Sequence, residues 1–319
     1  MPVLDMSIEE LKRYMGSSPC PTDIDEYWDK ALQQMEAIDP QVELIPSAFQ
    51  ADNAECFDLY FTGVGGARVH VKYARPRNRK APAPAVLMFH GYSANAGDWL
   101  SKLSYVGDGF CVAAMDCRGQ GGLSEDNGAI KGPTLRGHII RGLLDSPENL
   151  FYRSVFLDAA QLAKIVMGFE EVDENRVGAM GGSQGGALSL VCAALMPSIK
   201  LVAANYPFLS DYKRVWHMDK VLTAYTELRE FFIRFDPTHE REDEHFYRLG
   251  YIDIQNLTKR IQAEVLMFTG LQDETCPPSS QFAAYNKITS KKQVVFYPDL
   301  GHTELPGAAD RAFEFMHKL

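Results

Sequence analysis

From residue 85 onward, short apolar runs alternate with longer helix-like stretches, and this alternation constrains the chain more than any other feature. The runs are Ala85–Phe89, Phe110–Met115, Val177–Met180, Leu201–Ala204, Val265–Thr269 and Lys292–Tyr297. Runs this apolar, with helices between them, read as strands of a largely parallel sheet covered on both faces. Phe151–Met167 places Val155, Leu157, Leu162, Ile165 and Val166 near helical spacing, and a last helix fits Ala308–Leu319. Ahead of the alternation the period changes to two. Phe57, Leu59 and Phe61 alternate, Gly65-Gly66 turns, and Val69, Val71 and Tyr73 alternate again, which predicts a hairpin. Residues 7–37 read as a helical segment opened by Ser7 and closed into a capping box by Glu10, within an N-terminal extension over 1–50. The expected architecture is one α/β domain over residues 1–319.

Two stretches break the pattern. Residues 117–150 are long and Gly-rich, which points to a functional loop or an interface insertion. Residues 211–262 are charged, aromatic and mostly helical, and their run Glu240-Arg241-Glu242-Asp243-Glu244 reads as a solvated face.

Charge and cysteine usage narrow the class of function. Lys and Arg number 32 against 42 Asp and Glu, a net charge of −10. Such a chain is repelled by phosphate backbones and anionic membranes, so no nucleic-acid or membrane partner is expected. No run approaches the length of a membrane span, and Met1–Glu10 carries acids where a leader would be basic. The six cysteines show no CxxC pair and no zinc spacing. Free, mostly buried thiols, a cytoplasmic location and no metal or organic cofactor are the expectations.

The chemistry centres on Gly181-Gly182-Ser183-Gln184-Gly185, a G-x-S-x-G. By composition alone, about 0.1 such matches are expected in a chain of this length. The context makes it specific, because Arg176–Met180 before it reads as a strand and Ala187–Met196 after it as a helix, closed by Pro197. A strand, a tight turn and a helix form the nucleophile elbow of an α/β-hydrolase fold. The flanking glycines permit close backbone approach, the serine stands above the sheet edge, and the Gln184 N–H faces a developing oxyanion. In this fold the acid and then the base follow the serine on later strand ends. Asp273 leaves the strand Val265–Thr269, and His302 follows the strand Lys292–Tyr297. Asp273 is read as the acid, with Glu274 and Asp299 as competitors. The second oxyanion N–H is assigned to Tyr92, after the strand Ala85–Phe89, with His90 as a structural hydrogen-bonder.

With these residues in place the chain resembles carbohydrate esterase family 7, the acetyl xylan esterases and cephalosporin C deacetylases. The resemblance runs from about Asp23 to the C-terminus. It rests on Arg118-Gly119-Gln120, on Gly181–Gly185, on Asp273-Glu274-Thr275-Cys276-Pro277-Pro278-Ser279, and on Leu143–Asn149 in the long insertion. One departure stands out: the family's His-Glu pair is split here as His302-Thr303-Glu304. The resemblance implies a serine esterase that deacetylates short acetylated xylo-oligosaccharides, and cephalosporin C as an unnatural substrate. It implies a homohexamer whose 117–150 insertion builds interfaces and narrows the entrance. It also implies that Arg118, Gly119 and Gln120 brace the site, with a plain loop salt bridge as the alternative for Arg118. Tyr92, Phe208, Thr275 and Pro277 would line an acetyl pocket, with ordinary core packing as the alternative for Phe208.

Overall fold

The computed structural model describes residues 4–128, 137–218 and 224–319. Met1–Val3, and the parts of the 117–150 and 211–262 stretches at 129–136 and 219–223, lie outside the described residues. Nine strands form one sheet: β1 Glu43–Pro46, β2 Ala54–Thr62, β3 Arg68–Pro76, β4 Ala83–Phe89, β5 Cys111–Met115, β6 Val172–Gly182, β7 Leu201–Asn205, β8 Glu264–Gly270 and β9 Lys292–Tyr297. Their order is β1-β2-β3-β5-β4-β6-β7-β8-β9. The first three pair antiparallel, and β3 meets β5 antiparallel. From β5 to β9 every pairing is parallel, which is the sheet of an α/β-hydrolase.

Each parallel strand feeds two cores because successive side chains point to opposite faces. Val202 and Ala204 join Val265 under the helices Ile24–Glu36, Phe151–Met167 and Gln184–Leu195. Leu201, Ala203, Leu266 and Phe268 join Phe315 and Met316 of the helix Ala308–Met316 on the other face. Every residue of the helix Gln184–Leu195 is buried, which explains its apolar character all round.

Two expectations need correction. Residues 7–37 do not form one helical segment. They form two helices, Ile8–Leu11 with its Ser7–Glu10 capping box, and Ile24–Glu36. Pro19 and Pro21 withhold N–H groups between them, and Gly16 adopts φ +86°, with a Cβ there 2.0 Å from Gln255 Oε1. The second helix buries Ile24, Tyr27, Trp28, Ala31 and Met35 at helical spacing, with Trp28 stacked 5.8 Å from Phe156. The second correction is β1, which the sequence reading missed. All four of its residues are exposed, so it carries no burial period. Cys20 is also exposed, whereas the other five free thiols are buried.

Among the described residues, a buried ion pair ties the start of the 117–150 stretch to the core. Arg118 Nε and Nη2 each donate to an Asp158 carboxylate oxygen at 2.6 Å, and Nη1 donates to Val64 O at 3.0 Å. Both side chains are almost wholly buried. Removing one partner strands the other charge, so Asp158→Ala should cost about 3–5 kcal/mol. Urea unfolding checks this, and a loss within about 1 kcal/mol would show that the pair does not anchor the stretch.

Candidate active site

The carboxyl ends of the parallel strands carry every sequence-assigned chemical residue. β6 ends at Gly182 and the helix begins at Gln184, leaving Ser183 between them at φ +57° and ψ −119°. That conformation costs on the order of 1–3 kcal/mol and persists only where the surroundings enforce it. Here they do. The Ser183 N–H donates to Asn205 O at 3.0 Å, and its carbonyl accepts from Ala187 N at 3.0 Å and Phe208 N at 3.1 Å. The elbow also packs against the end of β4. A Cβ at Gly181 or Gly185 would lie 2.4 or 2.0 Å from Phe89 O, so neither position accepts a side chain.

The acid and base come from the ends of β8 and β9. Asp273 is fully buried, and its Oδ1 accepts from the N–H groups of Thr275 at 2.9 Å and Cys276 at 2.8 Å. Its Oδ2 faces His302 Nδ1 at 2.8 Å, and His302 Nε2 lies 3.1 Å from Ser183 Oγ. A carboxylate at Nδ1 fixes the proton there and leaves Nε2 as the acceptor for the serine hydroxyl. The two loops are tied through backbone, with Gln272 N donating to Leu300 O at 2.9 Å. The competing acids Glu274 and Asp299 are both exposed. Thr303 and Glu304 also face solvent, so the split His-Glu pair leaves the His302 contacts intact.

The side assigned to the oxyanion donors is built from β4, β5 and the elbow. His90 Nδ1 donates to Gly91 O at 2.7 Å while Nε2 accepts from Cys117 N at 2.9 Å. That pattern needs a neutral ring, and burial lowers the His90 pKa accordingly. Gln120 then bridges the two candidate donors. Its Oε1 accepts from Ser93 N at 2.8 Å, next to Tyr92, and its Nε2 donates to Gln184 Oε1 at 2.8 Å. Gln184 Oε1 also accepts from Tyr152 Oη at 2.8 Å, and Gln184 Nε2 lies 3.1 Å from Gln120 Oε1. Among the described residues, no acceptor takes the main-chain N–H of Tyr92 or Gln184. Arg118-Gly119-Gln120 therefore works as an anchor, a left-handed turn at φ +63° and a bridge.

Deeper support comes from Asp116 at the end of β5. It accepts from Ala96 N at 2.6 Å and Leu123 N at 2.9 Å, and faces His70 Nδ1 at 2.7 Å. Burial opposes its ionised form, yet His70 and the two N–H groups prevail and bring its pKa down to about 2.

The pocket assignments are placed less directly. Phe208 is fully buried, with its ring 5.8 Å from Tyr92 and 4.6 Å from Tyr225. Thr275 is half-buried and Pro277 is buried ahead of the helix Pro278–Lys287. Asp273, Cys276 and His302 bring possible metal ligands within 4.8 Å of one another. They fit a metal poorly, since Asp273 and His302 are already committed to each other and burial pushes the Cys276 thiol well up. Cys117 is likewise buried, its Sγ 3.4 Å from Gln184 Nε2.

Sequence reasoning missed several neighbours. Tyr206 lies over His302 at 4.5 Å, Tyr152 completes the Gln184 bonds, and Glu227 receives the Tyr92 hydroxyl. Only Tyr206 carried a signal, because it directly follows β7 at the same sheet edge.

The acetyl xylan esterase (AXE1) family profile matches residues 1–319. An acetyl xylan esterase from Thermoanaerobacterium sp. JW/SL YS485 superposes with a TM-score of 0.97 at 56% identity, covering 99% of each chain. Another, from Paenibacillus sp. R4, gives 0.93 at 33% identity, covering 98% of this chain and 99% of that one. The acetyl esterase Axe7A of Xylanibacter ruminicola is 27% identical over 300 residues, 92% of this chain, which spans 65% of that relative's length. With the elbow, the Arg-Gly-Gln turn and the family profile matched over residues 1–319, the chain belongs to the acetyl xylan esterase family.

Proposed function

We propose that this chain is a serine esterase that removes acetyl groups from short acetylated xylo-oligosaccharides through an acetyl-enzyme on Ser183. The observation that carries the reading is the relay from Ser183 Oγ to His302 Nε2 at 3.1 Å and from His302 Nδ1 to Asp273 Oδ2 at 2.8 Å. His302 takes the serine proton as Oγ attacks the acetyl carbonyl, and Asp273 stabilises the resulting imidazolium. The N–H groups of Gln184 and Tyr92 bind the oxyanion, each worth about 3 kcal/mol. His302 then protonates the departing sugar oxygen. Water, deprotonated by the same ring, attacks the acetyl-serine and releases acetate.

The finer parts of the reading share this chemistry. Cephalosporin C presents an acetyl ester that the same relay can cleave. Free cysteines throughout the chain favour a reducing compartment, and thus cytoplasmic use of imported oligomers. A homohexamer has surface available for contacts, including the exposed Val42, Leu44, Ile45 and Phe49 around the edge strand β1.

Ser183→Ala should lower kcat for acetate release from acetylated xylo-oligosaccharides by about 10⁴-fold or more, with the fold intact. A folded variant with near-normal turnover would sink the assignment of the nucleophile. Hydrolysis of nitrophenyl acetate without oligosaccharide release would instead move the substrate to another small acetyl ester. Gln120→Ala should lower kcat about 10–100-fold with a smaller effect on KM, because both oxyanion donors lose their shared brace. Unchanged kcat in a folded Gln120→Ala enzyme would leave the bridge without a catalytic consequence.

A further inference from the structure

Glu227 lies in the first turn of the helix Thr226–Phe235, inside the stretch between β7 and β8, and is only 5% exposed. Its carboxylate collects donors from two other segments. Oε1 accepts from Tyr92 Oη at 3.2 Å, and Oε2 accepts from Ile139 N at 3.0 Å and Ile140 N at 3.3 Å. Tyr92 Oη in turn accepts from His138 N at 3.1 Å, and the two rings meet edge to face at 5.5 Å. Gly137 makes the approach possible. It sits at φ +99°, and a Cβ there would lie 2.1 Å from Glu227 Oε2. Burying a carboxylate is costly unless donors satisfy it. This one gathers the oxyanion loop, the insertion after β5 and the helical stretch after β7 onto two oxygen atoms.

We infer that Glu227 is a positioning residue for the oxyanion hole, holding the Tyr92 side chain so that its main-chain N–H stays aimed at the reacting carbonyl above Ser183. The inference rests on the serine esterase reading and assigns no contact with substrate to Glu227. The three donors suit the ionised carboxylate, since a proton on Oε1 would have to reverse the Tyr92 bond. Burial pushes the Glu227 pKa up to about 7, against the pull of its hydrogen bonds. The ionisable groups facing it are the phenols of Tyr92, Tyr152 and Tyr212 and the imidazole of His138. The His138 ring is itself kept neutral, its pKa lowered by burial to about 4. Near neutral pH, the bracing form of Glu227 is therefore gained as pH rises and lost as it falls.

The test compares full-length wild type, Glu227→Gln, Tyr92→Phe and the double variant on nitrophenyl acetate and on acetylated xylo-oligosaccharides, across pH. Each single change should lower kcat about tenfold or more, with KM within about twofold, because the loss falls on the transition state. The double variant should be no slower than the slower single variant, since both changes break one link. Beyond the acid-side loss that the general base imposes on both enzymes, wild-type kcat should show a further loss near the Glu227 ionisation that is absent in Glu227→Gln. A merely structural role would lower the melting temperature and leave that loss in place. Wild-type kcat in either folded variant, multiplying effects in the double variant, or an unaltered pH profile in Glu227→Gln would each overturn the inference. If Glu227→Gln fails to fold, Tyr92→Phe decides alone, because the link to the oxyanion loop runs through that hydroxyl. A wild type active on nitrophenyl acetate but not on the oligosaccharide would contradict the substrate reading, and the variant comparison on nitrophenyl acetate would still stand.

Discussion

The contact between the Phe89 carbonyl and the two elbow glycines is the constraint from which the site follows. The oxygen occupies the place of a Cβ at either Gly181 or Gly185. This brings the end of β4 against the turn after β6, and the two proposed oxyanion donors, Tyr92 and Gln184, follow from those ends. Ser183 is held in its strained positive-φ conformation by bonds to Asn205 and Phe208 at and after the β7 end and to Ala187 of its own helix. With the turn fixed, the hydroxyl projects over the sheet edge towards His302.

Around that contact the protein spends buried polar groups rather than apolar ones. The Gln120–Gln184 amide pair, the Tyr152 hydroxyl, the His90 carbonyl and the Ser93 N–H form one connected set in which each member satisfies another. Such networks rigidify when complete and are costly when one member is missing. The Arg118–Asp158 pair serves the same end from a distance. A buried ion pair adds little net stability over an apolar one, yet losing one partner is costly. Two residues on, Gln120 bonds Ser93 N on one side and Gln184 Oε1 on the other.

Much of this was legible in the sequence, and the reason is local. Buried parallel strands carry continuous apolar runs, so β4 to β8 announced themselves, the part-buried edge strand β9 showed only the shorter run Val294–Tyr297, and a strand-end position is itself a functional coordinate in this fold. Ser183, Asp273 and His302 could be assigned in that way, and the structure brings their side chains within hydrogen-bond reach. Features fixed by contacts distant in sequence were not legible. β1 is exposed and paired only through β2, so no periodicity marks it. The break at residues 12–23 rests on Pro19 and Pro21 and on Gly16 meeting Gln255, and the last of these lies beyond the local sequence. Glu227 meets Tyr92 across 135 residues, and in sequence it is simply an acid in the first turn of a helix. The network of His70 and Asp116 was hidden in the same way, although Asp116 directly follows a recognised strand.

Passage of the acetyl group through Ser183 can be followed by rapid acid quenching during turnover of an acetyl ester and peptide mass mapping. One acetyl group is expected on the peptide containing Ser183, formed within the first turnover and lost when the ester is exhausted. Acetate release at full rate with that peptide never acetylated would contradict it and point to direct attack by water.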